Sequence, residues 1–69
     1  MKYFSGERPR RGDVVQRVGL IREQNEYRYG DIFLVTGFEE ITGFPERHSF
    51  CGDISFNPEN FQLVSRGKL

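Results

Sequence analysis

Short apolar runs alternate with polar breaks marked by glycine and proline along the whole chain. Val14-Val15-Gln16-Arg17-Val18-Gly19-Leu20-Ile21 is rich in β-branched residues and reads as a first strand, with Gly19 as a bend within it. Ile32-Phe33-Leu34-Val35-Thr36 is the strongest strand signal. Its continuous apolar character predicts a central strand covered on both faces. His48-Ser49-Phe50-Cys51 and Ile54-Ser55-Phe56 predict two short strands around the turn dipeptide Gly52-Asp53, and Gln62-Leu63-Val64 a last one. Asn57-Pro58-Glu59-Asn60 places proline where a single 3₁₀ turn can start, closed by Phe61. Between Ile41 and Arg47, Gly43 and Pro45 argue against a regular strand. The segment from Arg22 to Gly30 is charged and reads as an exposed loop.

The expected fold class is all-β, with five short strands and no convincing helix. Val15, Val35 and Leu63 are the expected core, and Phe61 its plug. Curling such a sheet into a small barrel removes edges that so short a chain can hardly cover. The expected organisation is a basic lead-in over residues 1–11, a barrel over 12–64 and a frayed tail over 65–69. Arg8-Pro9-Arg10-Arg11-Gly12-Asp13 forms the turn into the first strand.

Composition narrows the function classes. With 69 residues there is room for one domain, and at this size only about 60% of the unfolded surface is buried. No Ala and no Trp are present, while seven Phe and three Tyr supply much of the apolar bulk. Ten rings exceed what this chain can enclose, so some are expected to face outward and invite a partner. No apolar run is long enough to cross a membrane. The start, Met1-Lys2-Tyr3-Phe4-Ser5-Gly6, turns polar too early for a secretory signal. The one cysteine, Cys51, suits a reducing, cytoplasmic setting. Charge is balanced overall but not along the chain. Residues 1–30 hold seven basic against four acidic side chains, or +3, and residues 31–69 hold three against six, or −3.

The order of these pieces is recognisable. Gly12-Asp13-x-Val15 opens the first strand, Gly30-Asp31-Ile32-Phe33-Leu34-Val35 the second, and Phe61-Gln62-Leu63-Val64 closes the chain after the Asn57-Pro58-Glu59-Asn60 turn. This resembles the small SH3-like β-barrels found as free-standing proteins in bacteriophages and some bacteria, over roughly residues 12–64. Phe33 stands where that pattern usually has Tyr. The resemblance implies a five-stranded SH3-like barrel with a one-turn 3₁₀ element before the last strand. Barrels of this kind host many unrelated activities. The relatives that bind proline-rich peptides carry Ala-Leu-Tyr-Asp-Tyr and adjacent Trp residues, and both are missing here. The translation and transcription modules share Gly12-Asp13-x-Val15, but the segment after it departs from their glycine pattern.

Catalytic chemistry finds little support. His48 and Cys51 supply two soft ligands where zinc needs four. Glu39, Glu40 and Glu46 read as solvated loop charges, and no phosphate-cradling glycine loop is present. Arg11-Gly12-Asp13 matches a cell-adhesion tripeptide, yet its Gly-Asp already has a turn to make. The expectation is therefore a non-enzyme without cofactor or small-molecule substrate. Its candidate binding residues are Arg8, Arg10, Arg11 and Arg17 in the basic segment, and Tyr27, Arg28 and Tyr29 in the charged loop. Arginine suits planar contacts with carboxylate or phosphate, and aromatics between arginines suit a protein surface or a stacked base. A protein partner, either a host factor or a second copy, is the first expectation. Nucleic acid is the alternative, weakened by the absence of a basic excess.

Overall fold

A computed structural model describes residues 1–18 and 32–67. It contains β1 (Val14–Arg17), β2 (Ile32–Phe38), β3 (Pro45–Ser49), β4 (Gly52–Ser55), a 3₁₀ turn (Pro58–Asn60) and β5 (Phe61–Ser65). The strands form one antiparallel sheet in the order β4-β3-β2-β1-β5. The all-β class, the five strands and the 3₁₀ element before the last strand are as the sequence implies. Among the described residues no ladder joins β4 to β5, so hydrogen bonding does not close the sheet into a barrel.

The sheet bends at β2. Ile32, Phe33 and Leu34 pair with Gln16, Val15 and Val14, whereas Val35, Gly37 and Phe38 pair with Arg47, Glu46 and Pro45. A register shift between Val35 and Gly37 marks the change, and such bulges sharpen the local twist. Two layers result, β5-β1-β2 and β2-β3-β4. Between them lie Tyr3, Val15, Val35, Phe56 and Phe61, with Phe33 and Leu63 packed against this core. Phe61 is its hub: Phe56 lies at 4.7 Å and Phe33 at 5.9 Å, ring centre to ring centre, both tilted. The turn before it is set locally. Asn57 Oδ1 accepts from the Glu59 N–H, and Phe61 N–H donates to the Pro58 carbonyl.

Several local expectations change. The β3–β4 turn falls on Phe50-Cys51, and Gly52 is already the first residue of β4. Gly52 takes φ +111°, open to glycine, while the Ser49 hydroxyl accepts from Cys51 N–H at 3.2 Å. Phe50 is thereby left fully exposed at the hairpin tip. β3 starts at Pro45, whose missing N–H is harmless at a strand's first residue. β2 is not covered on both faces: Ile32 is 60% exposed and Leu34 53%. The described residues near both ends are held, while Lys68 and Leu69 of the expected tail lie outside the described residues. Tyr3 enters the core, Phe4 N–H donates to the Phe61 carbonyl, Ser65 completes β5, and Arg66 and Gly67 bond to Asp13. The expected bend at Gly19, the strand end at Leu20-Ile21 and the loop from Arg22 to Gly30 lie outside the described residues. Among the described residues no helix is long and apolar enough to cross a membrane.

Candidate protein-docking face

One buried carboxylate organises the approach to β1. Asp13 is 0% exposed. Its Oδ2 accepts from the Tyr3 hydroxyl at 2.6 Å, the Arg10 N–H at 2.8 Å and Arg66 Nη1 at 3.1 Å, and its Oδ1 from the Gly67 N–H at 2.9 Å. Arg66 Nη1 also donates to the Arg8 carbonyl at 2.9 Å. Gly67 cannot be larger, because a Cβ there would stand 2.2 Å from the Arg11 carbonyl oxygen. Burial opposes the Asp13 charge, but the hydrogen bonds from Tyr3, Gly67 and Arg10 and the charge of Arg66 outweigh it, holding the carboxyl below the usual aspartate range. Burial, the bond to Asp13 and the charge of Asp13 push the Tyr3 phenol upward.

This node presents Arg8, Arg10 and Arg11 together on an exposed turn. Their side chains make no ion pair among the described residues. Arg17 is elsewhere. It is 3% exposed on the inward side of β1, its guanidinium 5.5 Å from the centre of the Phe61 ring. Arg47 covers Phe33 in the same way at 4.0 Å. These two arginines line the interior wall, apart from the exposed three. Tyr27, Arg28 and Tyr29 lie outside the described residues.

The outer face of the β5-β1-β2 layer was not singled out by sequence reasoning. Strand alternation sends Val15 and Arg17 inward and Val14 and Gln16 outward. Register then places Leu34 beside Val14, and Ile32 and Gln62 on either side of Gln16. Gln62 Nε2 donates to Gln16 Oε1 at 3.1 Å across this face, and exposed Val64 extends it along β5. The missed signal lay in the Ile32–Val35 run, which reads as doubly buried when only one parity is. Where β1 gives way to the arginine turn, Gly12 N–H donates to the Val35 carbonyl, and Val35 N–H to the Asp13 carbonyl, both at 2.8 Å. Gly12 has φ +90° and carries no side chain. A shallow notch of about 270 Å³ opens there, lined by Arg11, Gly12, Leu34, Val35 and Thr36.

The β2–β3 turn follows shortly along the same strand. Glu39 N–H donates to the Phe44 carbonyl and Gly43 N–H to the Glu39 carbonyl, both at 2.8 Å. Glu39 Oε1 accepts from the Thr42 N–H at 3.0 Å and from the Thr42 hydroxyl. Those two bonds keep the Glu39 carboxyl below the usual range. The turn displays Ile41 at 90% exposure, beside an exposed Glu40.

The β3–β4 side offers less chemistry. His48 Nδ1 lies 3.7 Å from Asp53 Oδ1 on an open surface, and Cys51 is an exposed free thiol at the hairpin tip. Among the described residues no group of three or more His, Cys, Asp or Glu could hold a metal ion. Five antiparallel strands in the observed order fit an SH3-like fold. No protein-family model, curated protein or solved structure matches the chain.

Proposed function

We propose that this chain is a non-enzymatic binding module that docks another protein on the outer face of the β5-β1-β2 layer. The observation that carries the reading is the outward display of Ile32 and Leu34 on a sheet that needs neither for its core. Val14 and Val64 continue that surface, and the exposed Arg11, which lines the notch beside Leu34, gives it a charged edge. An apolar centre with an arginine-bearing rim is the anatomy of a protein interface. The similarity of Gly12-Asp13-x-Val15 and Phe61-Gln62-Leu63-Val64 to free-standing bacteriophage and bacterial barrels supports an accessory role in the cytoplasm, that of the host if the protein is phage-encoded.

The test is affinity capture from bacterial lysate with the chain and with Leu34→Glu as bait. A stoichiometric protein held by the first and lost by the second supports the reading. Absence of any Leu34-dependent partner, the chain itself included, overturns it. Three exposed arginines within four residues favour a second reading, binding of nucleic acid. That reading predicts a low-salt gel shift of duplex DNA or single-stranded RNA, lost when Arg8, Arg10 and Arg11 become Ala. No retardation removes it.

A further inference from the structure

The notch and the β2–β3 turn carry opposite charges beside apolar surface, and both belong to this chain. At the notch, Gly12 leaves a gap between Leu34 and Thr36, and Arg11 stands over it with no ion-pair partner among the described residues. At the turn, Ile41 projects from a loop already fixed by its own hydrogen bonds to Glu39 and Thr42, so holding it still on docking costs little further entropy. Beside it the exposed Glu40 carboxylate makes no hydrogen bond or ion pair among the described residues, whereas the Glu39 carboxylate is spent within the turn. Among the described residues the turn thus offers an apolar knob beside an unpaired negative charge, and the notch an apolar gap beside an unpaired positive one.

We infer that the occupant of the notch is a second copy of this chain: Ile41 of one copy enters the gap over Gly12 of the other, and Glu40 meets Arg11. The inference rests on the protein-docking reading above and names its partner. Notch and knob occupy successive stretches of β2, Leu34–Thr36 and the turn after Phe38. A two-fold axis between them lets each copy fill the other's notch, closing the pair instead of propagating a fibre. The charge distribution agrees. Residues 1–30 carry +3 and residues 31–69 carry −3, so the chain as a whole is neutral and two copies do not repel. Contact through one knob and one notch per copy is a small interface, at the weak end of specific association.

The experiment is sedimentation equilibrium on the full chain, from about 10 μM to about 1 mM, with low and high salt compared. A dimer weakened by salt is expected. Ile41→Asp and Arg11→Glu should each weaken it at least about ten-fold, while the far-UV spectrum and melting temperature stay put. Glu40→Arg should also weaken it. The double variant Arg11→Glu/Glu40→Arg should recover most of the affinity, since the pair is reversed rather than removed; a merely structural defect would not be rescued. A monomer throughout the concentration range overturns the inference, as does a dimer indifferent to Ile41→Asp. A monomer that still captures a foreign protein through Leu34 sinks self-association alone. A monomer with no Leu34-dependent partner sinks the docking reading as well.

Discussion

The two layers of the sheet cover one core and turn very different surfaces to solvent. Outward from β5-β1-β2 stand Val14, Gln16, Ile32, Leu34, Gln62 and Val64. Outward from β2-β3-β4 stand Glu46, His48, Asp53 and Ser55, paired across the strands. The second surface is what a solvated sheet normally wears, charge and hydroxyl alternating with the buried parity. The first has the same pleat and the same inward partners, yet is apolar with two glutamines bonded to each other. Folding explains neither choice, because both faces lie outside the core formed by Tyr3, Val15, Val35, Phe56 and Phe61. The apolar strand face of β5-β1-β2 is the surface on which the docking proposed above is placed.

The largest effects are expected inside, where both layers depend on the same residue. Phe61 is 1% exposed and touches Phe33 and Phe56. Phe61→Ala should cost about 3–5 kcal/mol, enough to unfold a domain of this size, as read from a thermal or urea melt. A melt that barely moves would mean the layers are held separately. Next comes Asp13, whose carboxylate ties Tyr3, Arg10, Arg66 and Gly67 to the start of β1. Asp13→Asn keeps the shape but weakens four charge-assisted bonds and leaves Arg66 without its counter-ion, costing about 2–4 kcal/mol. The pH signature follows from the sign of the shift. The folded carboxyl titrates below its unfolded value, so its stabilisation is complete above about pH 4 and is lost as pH falls through the folded value. Tyr3 behaves oppositely: its folded phenol titrates above the unfolded one, so its contribution holds below about pH 10 and fades above it. Urea midpoints against pH should therefore fall at both extremes, and Asp13→Asn should flatten the acid limb.

Legibility in the sequence divides along the same line. The inward parity could be read, because Val15, Val35, Phe61 and Leu63 lie at strand positions fixed by alternation and by the Asn57-Pro58 turn. The outward parity of β2 could not, because Ile32 and Leu34 have the same chemistry as their buried neighbours. Only cross-strand register tells which pair faces water. The hairpin tip was displaced by a single hydroxyl, Ser49, competing with the Gly52-Asp53 signal. Arg17 looked like part of the basic arm by sequence distance, whereas strand parity turned it onto Phe61. Asp13 reads as an ordinary turn residue because its donors Arg66 and Gly67 are more than fifty positions away.

The smallest stability effects carry the sharpest test of the comparison. Leu34→Glu and Asp53→Ala change one residue on each outer face, neither in the core. Each should move the melting free energy by only about 0.5 kcal/mol, since Leu34 is already half exposed and the His48–Asp53 pair is open to water. Their effects on association should nevertheless differ. Leu34→Glu places a carboxylate in the apolar face and beside the Gly12 notch, where a partner would have to bury it unpaired, so binding should fall by an order of magnitude or more. Asp53→Ala lies on the layer already clothed for solvent and should leave binding unchanged. Titration of either variant against the captured partner, or sedimentation of each alone, reads the difference. Equal losses on both faces would mean that the apolar surface of β5-β1-β2 is not where this protein makes its contacts.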